Sequence, residues 1–362
     1  MAHRWSSYVS FEDISEVSNF TDYLVNRGSA LLFVMGCGFD PRMNNVLKQV
    51  VSQHTLKNIT CVLIHYRANR KMPEDVLYDA NTEEFSQICK DYGIKTHDIY
   101  DNHPNDIEKR IVSILRSLRN LEYSQYTDII VDVSALPRAL YFNICKFFYK
   151  KCEDNKKNLF FSVSENVEID TKINDKTGDE IYPMRGFGRN YRLEAFIDKR
   201  TILIPLLGEH HAAELKKIYA NFKPVDVCPI LPFPSVNPRR SEEVLGIHKD
   251  FFEEIDQTEP QNYTYADERN PFELYGILTE LIRNYKKTLG PLTTCVCFGI
   301  AVLNSKLMSL GALLVGLENP NEVSFYSSSP ISYNVSDIEE MKRININSKS
   351  YIMWITGEAY ED

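Results

Sequence analysis

The sequence predicts an α/β protein made of two tandem Rossmann-like, open, mainly parallel sheets with helices on both faces. Three observations predict it. At 362 residues the chain exceeds what one hydrophobic core ordinarily serves. Short apolar runs alternate with stretches of helical period along most of its length. Several of those runs end in polar, glycine-bearing turns just before a helix begins.

The first strand is expected at 30–35 (ALLFVM), followed by the turn Gly36-Cys37-Gly38 and a helix starting near Pro41. A second strand at 59–66 follows at the spacing of a β-α-β crossover. Next come a helix over 82–91, a strand over 94–100 and a helix over 105–121, the last with Ile107, Ile111, Leu115 and Leu118 on one face. A strand at 127–133 (TDIIVDV), an aromatic-rich helix through Phe148 and a strand at 158–163 complete this half.

From 164 to 196 periodicity gives way to polar, glycine-bearing sequence, which marks a domain boundary. Within it RGFGRNYR also reads as a loop reaching back over a site. The expected organisation is therefore an extension at 1–27, a first half at 28–163, a linker at 164–196 and a second half at 197–362.

The second half restarts with a strand at 201–207 and a helix through Tyr219, then a strand at 225–231. The prolines of FPSVNPRR prevent that strand from continuing. Helices follow at 242–255 and 272–288, a strand at 293–298, a loop at 299–305, a helix at 306–317 and a strand at 322–326. Gly311, Ala312 and Gly316 allow that last helix a close approach to its neighbours. TDIIVDVSALPRALYFNICKFF and TTCVCFGIAVLNSKLMSLGALL share one pattern, strand, short loop ending in a cation, helix, and read as an internal duplication.

Composition narrows the function. A net charge of −9 disfavours a general nucleic-acid coat, which needs dense Lys and Arg. The eight cysteines are scattered through apolar patterns without CxxC pairs, which predicts buried, reduced thiols and no zinc. No signal-peptide pattern or membrane-length apolar run occurs, so the expected location is cytoplasmic and no membrane partner is expected. No cofactor or metal is predicted.

Ligands of open parallel sheets bind beyond the carboxyl ends of the strands, where helices begin with unpaired N–H groups. Four loops have that address. GCGFDPR supplies Gly36 and Gly38 for close backbone approach, Asp40 as an N-cap, and Arg42 for an anion. Its bland reading is a well-made turn and cap. It is not GxGxxG, so no dinucleotide follows.

Asp132, Ser134 and Arg138 form the second set, a carboxylate, a hydroxyl and a guanidinium; alternatively Ser134 caps the helix and Arg138 pairs with Asp132. The third contains Gly208, Glu209, His210 and His211, with Glu209 and a histidine as an acid–base pair or as structural groups. The fourth ends in Ser305 and Lys306, the lysine either meeting a phosphate or simply solvated. Separately, PFPSVNPRR delivers Arg239 and Arg240 together, for an anion or for salt bridges with Glu242 and Glu243.

DVSALPRAL resembles the strand-loop-helix of CARF domains, in which a small-residue loop with a terminal cation meets a nucleotide phosphate, and GCGFDPR resembles their first ligand loop. Two such units in one chain resemble the SAVED domains of bacterial anti-phage signalling, fused CARF-like halves that sense cyclic oligonucleotides. The resemblance covers residues 28–335 and implies ligand contacts at Gly38, Ser134 and Arg138 in one half and Gly208, Ser305 and Lys306 in the other. Two departures stand out. The glycine-rich, lysine-ended CARF loop appears as SALPR and IAVLNSK, and no effector nuclease is recognisable.

The leading expectation is a sensor or adaptor whose strand-end loops surround a shared nucleotide-like ligand, in anti-phage defence, with an effector protein encoded nearby and homo-oligomerisation as partner expectations. A second reading is a nucleotide or nucleoside hydrolase or transferase using Asp40, Asp132 or Glu209 with His210 or His211. A third is a protein–protein scaffold using an aromatic-rich surface, given 21 Tyr and 19 Phe.

Overall fold

The computed structural model describes residues 3–52, 56–66, 75–101, 103, 106–177, 181, 183–189, 198–209, 211–255, 262–326, 330–335 and 338–360. The chain forms two compact units, one of Tyr8–Asp175 with Tyr333–Asp362, the other of Met1–Ser7 with Lys176–Ser332. They are termed the first and second units respectively.

In the first unit the central strand is β2 (Leu31–Cys37), after β1 (Ser10–Glu12) and α1 (Asp13–Arg27). All seven residues of β2 are buried, as a strand covered on both faces requires. There follow α2 (Asn45–Val51), β3 (Ile59–His65), α3 (Asp75–Tyr92), β4 (Lys95–Tyr100), α4 (Ile107–Arg119), β5 (Asp128–Asp132), α5 (Arg138–Asn155) and β6 (Asn158–Glu165). The five parallel strands lie in the order β6-β5-β2-β3-β4, so the chain reverses direction across the sheet between β2 and β5. That is the Rossmann order with its switch point at β2/β5.

The second unit repeats the plan. It has β8 (Lys199–Leu206), α7 (Ala212–Phe222), β9 (Asp226–Val227), β10 (Ile230–Pro232), α8 (Arg240–Ile255), β11 (Thr264–Ala266), α9 (Pro271–Leu289), β12 (Cys295–Val302), α10 (Lys306–Glu318) and β13 (Val323–Tyr326). Its parallel order β11-β10-β8-β12-β13 places the switch point between β8 and β12. The two segments read as a duplication, β5–α5 and β12–α10, hold corresponding places in the two sheets.

Several boundaries differ from the sequence expectation. Residues 8–27 are no extension: α1 buries Val17, Phe20, Thr21 and Leu24 in the core over β2. The C-terminal residues do not stay with the second half. After α11 (Ile338–Ile344), β15 (Lys349–Thr356) inserts antiparallel between β1 and β6 of the first sheet. Its apolar run Tyr351–Ile355 is buried there, and that burial drives the return.

The expected linker opens with α6 (Val167–Lys172) and β7 (Ile173–Thr177), which pairs with β14 (Pro330–Val335). Further on, Met184 donates its N–H to the Phe325 carbonyl, and buried Phe187 meets Phe325 edge-on at 5.0 Å. RGFGRNYR is thus packed against β13 as far as it is described; residues 190–197 lie outside the described set. The expected strand 225–231 is broken in two around Pro229, which lacks the N–H a ladder needs. Conversely β12 runs on through Gly299–Val302, expected as loop, because those residues pair with β8 on one side and with β13 up to Ala301 on the other.

Helix α10 is buried on every side from Leu307 to Leu317. A Cβ on Gly311 would collide with the Pro271 carbonyl that opens α9, so the small residue sets how closely the helices pack. No described helix is long and apolar enough to cross a membrane.

Candidate functional site

At the first unit's switch point, the loops after β2 and β5 are pressed together. A Cβ on Gly38 would strike the Tyr66 hydroxyl and lie 3.1 Å from the Ala135 carbonyl oxygen, and one on Gly36 would meet the Leu136 side chain. Tyr66 closes the joint by donating its hydroxyl to the Ala135 carbonyl. The close approach expected from the two glycines is therefore made to the neighbouring loop.

Helix α3 fixes the same loop. Asn81 Nδ2 donates to the carbonyls of Gly38 (2.9 Å) and Asp40 (2.8 Å), and Asn44 Nδ2 donates to the Asn81 carbonyl (2.9 Å). Asn81 was not anticipated. Its signal was a polar residue on an apolar stripe, between Leu77 and Phe85 at helical spacing.

Arg42 does not face an open anion site. Its guanidinium is buried, donates through Nε and Nη2 to both carboxylate oxygens of Asp40 (2.9 and 2.8 Å), and reaches Asp170 at 2.8 Å. A buried charge requires such partners, and two carboxylates supply them. Asp40 does not cap α2, whose N-cap is Asn44; it closes a turn by accepting from the Arg42 N–H (3.0 Å).

Asp132 and Ser134 are also committed. Asp132 accepts from the Ser134 N–H (3.1 Å), the Ser134 hydroxyl (3.1 Å) and the Ser162 hydroxyl (2.9 Å), while Ser134 Oγ accepts from the Ser164 N–H (2.8 Å). This buried network ties the end of β5 to β6. The N-cap of α5 is Pro137 and not Ser134, and Arg138 is the first helical residue, half-buried at the switch point.

The second unit reproduces the arrangement. A Cβ on Gly208 would collide with the Leu303 carbonyl oxygen and lie 2.9 Å from Asn304 Cα, so the loop after β8 abuts the loop after β12 as Gly38 abuts Ala135. Ser305 is the N-cap of α10, accepting from the Met308 N–H at 3.2 Å, and Lys306 opens the helix. Lys306 thus holds the place that Arg138 holds in the first unit.

Around Gly208 gather groups that the sequence reading only partly found. His248 of α8, fully buried, lies with Nε2 2.9 Å from the Gly208 carbonyl, a bond in which Nε2–H is the donor; burial lowers its pKa. Like Asn81, it lies on a buried helical stripe, with Val244 and Phe251. His211 is the N-cap residue of α7, without a side-chain cap bond, and its Nδ1 is 3.0 Å from buried Glu214. His210 lies outside the described residues.

Glu209 accepts from Arg240 Nη1 at 3.0 Å, and Arg240 Nε lies 2.8 Å from Glu268. The adjacent arginines therefore part company: Arg240 is enclosed by carboxylates, and Arg239 is 77% exposed in its side chain. All eight cysteines are free thiols, and seven are buried. No group of three or more His, Cys, Asp or Glu side chains among the described residues is placed to hold a metal ion.

No protein-family model matches the chain, and no curated protein matches it. Among solved structures it is similar to a type III CRISPR defence DNA nuclease activated by cyclic oligoadenylate, with TM-score 0.50 and 9% identity. The match covers 82% of this chain and 65% of the nuclease chain, so this chain spans somewhat less than two thirds of that protein's length. At that identity the likeness is one of fold. Slighter matches are an NH3-dependent NAD synthetase from Campylobacter jejuni (TM-score 0.23, 12% identity, 41% of this chain and 55% of that one) and the cytoplasmic domain of a prokaryotic cation chloride cotransporter (TM-score 0.25, 12% identity, 82% and 95%). The fold is mixed α/β, with two mainly parallel sheets flanked by helices.

Proposed function

We propose that this chain binds a nucleotide-derived anionic ligand and serves as a sensor in antiviral defence. One observation carries the reading: in both units the helix that leaves the switch point opens with a cation, Arg138 on α5 and Lys306 on α10. The first N–H groups of a helix and its dipole favour an anion there, and a cation at the first residue adds to that field. The fold likeness to a nuclease activated by cyclic oligoadenylate agrees with the chemistry and supplies the ligand class to try first.

Binding is favoured over turnover by the state of the carboxylates. Asp40 is held by Arg42, Asp132 by two hydroxyls and an N–H, and Glu209 by Arg240. A general base needs a lone pair within reach of a substrate proton; Asp40 and Asp132 are buried and bonded within the fold, and Glu209 is bound to a guanidinium.

Calorimetric titration of the purified chain with cyclic oligoadenylates of several ring sizes, with AMP and ATP alongside, tests the reading. Binding of at least one of them, weakened in Arg138→Ala or Lys306→Ala, is the expected outcome. No heat from any member of the panel, with the protein shown to be folded, overturns it.

A further inference from the structure

The segment PFPSVNPRR leaves an apolar feature that the switch-point loops do not use. Phe233, the residue after β10, is 52% exposed, and Tyr265 of β11 is 48% exposed. Their rings meet edge to face, with centroids 6.1 Å apart and planes at 77°. In the register of the sheet Tyr265 pairs with Leu231, two residues before Phe233, so both rings rise from the same face. Val236 in the same loop is more exposed still.

The half of each ring left in water gains nothing for the fold, yet the loop that presents the pair is firmly held. Phe233 donates its N–H to the Ala266 carbonyl (2.8 Å), and Glu268 donates its N–H to the Pro234 carbonyl (3.1 Å). Ser235 Oγ donates to Glu268 (2.5 Å), and Ser241 Oγ to the Pro232 carbonyl (2.8 Å). Arg240 joins Glu268 to Glu209, and so ties this loop to the one after β8. The aromatic pair is thus a rigid surface at the carboxyl end of β10, linked through one guanidinium to the candidate site.

Two exposed arginines lie near the pair in the chain, among carboxylates. The side chains of Arg239 and Arg269 are more than half exposed, and their ion contacts to Glu242 and Asp267 are long at 3.7 Å. An exposed ring face with an exposed guanidinium near it in the chain matches a ligand that is aromatic and anionic at once. A nucleotide is such a ligand, its base offering a π-face and its phosphate a negative charge.

We propose that Phe233 and Tyr265 form a stacking platform for a nucleobase of the bound ligand, with Arg239 meeting its phosphate. This rests on the nucleotide-binding reading above and assigns it a base-recognition surface in the second unit.

The test uses the full chain, cyclic oligoadenylates as probes, and inorganic pyrophosphate as a probe without a base. Phe233→Ala and Tyr265→Ala should each weaken oligoadenylate binding on the order of ten- to a hundred-fold, the range of base–aromatic stacking. Pyrophosphate binding should be unchanged in both. Phe233→Trp should retain affinity, and its indole emission should be quenched on saturation. Wild-type affinity in both alanine variants overturns the platform while leaving the nucleotide reading intact. Equal losses for pyrophosphate and oligoadenylate also overturn it, because the rings would then act through the loop. Absence of any nucleotide binding by the wild type overturns both.

Discussion

Gly208 lies directly against Leu303: a side chain on the glycine would run into the Leu303 carbonyl oxygen, and the two loops it joins follow β8 and β12 of the second sheet. Gly38 and Ala135 stand in the same relation in the first unit. Close contact of these loops brings the starts of the flanking helices to one place, and it explains why glycine is found at both positions. Gly208→Ala is expected to destabilise the protein by about 1–3 kcal/mol, the usual range for overpacking, because the obstacle is backbone. Gly38→Ala should cost less, since its nearest obstacle is the Tyr66 hydroxyl, the end of a side chain that can turn away. Urea unfolding of the two variants checks the order.

Arg42 supplies a second prediction. It is buried between Asp40 and Asp170, and its removal leaves Asp40 as a buried charge without its partner. Arg42→Ala should therefore cost about 3–5 kcal/mol. Asp170→Asn should cost much less, because that carboxylate is 44% exposed and water screens it. Had Arg42 served a ligand, its loss would instead leave stability nearly unchanged and abolish binding. Denaturant unfolding together with titration distinguishes the two roles.

The buried histidine predicts a pH effect of known sign. Burial lowers the pKa of His248 below its ordinary 6.5, so the unfolded chain takes up a proton before the folded one does. Its contribution to stability is complete above about 6.5 and is lost as pH falls from there toward the folded value. His65 runs the other way. Burial opposes its charge, but hydrogen bonds with Cys37 and Asp98 outweigh burial and raise its pKa, so its contribution is full below 6.5 and is lost as pH rises through the folded value. The acid-side slope of stability against pH should become shallower below about 6.5 in His248→Gln, and the loss of stability toward alkaline pH should shrink in His65→Asn.

Trp5 predicts that the chain's first residues are structural. Its ring is buried and meets Tyr275 of α9 edge-on at 5.1 Å, although the chain passes into the other unit from Tyr8 onward. Trp5→Ala should cost about 3–5 kcal/mol, the usual range for a buried aromatic. Near-ultraviolet circular dichroism and thermal melting report the loss.

Ionic strength gives a last check on the proposed function. If Arg138 and Lys306 meet phosphates, affinity for a cyclic oligoadenylate should fall as salt rises, and the fall should be shallower in Arg138→Ala or Lys306→Ala. A ligand held by apolar contact alone would show no such dependence.

The sequence by itself determined the fold class and most of the strand and helix placements, because those depend on local period: ALLFVM, ITCVLIH and TILIPLL read as buried strands in any context. It also showed where strands run into helices, and so the four loops. What it could not determine is which groups meet there. Arg42 pairs with Asp170 across 128 positions, His248 reaches the Gly208 carbonyl from 40 residues away, and the glycines of one loop are explained by the residues of another. The return of Lys349–Thr356 to the first sheet is of the same kind, since a strand's apolar pattern states that it must be covered and not by what. Period is a property of neighbours in the chain; the partner of a buried charge, a carbonyl or an apolar strand is chosen only when the tertiary structure brings distant segments together.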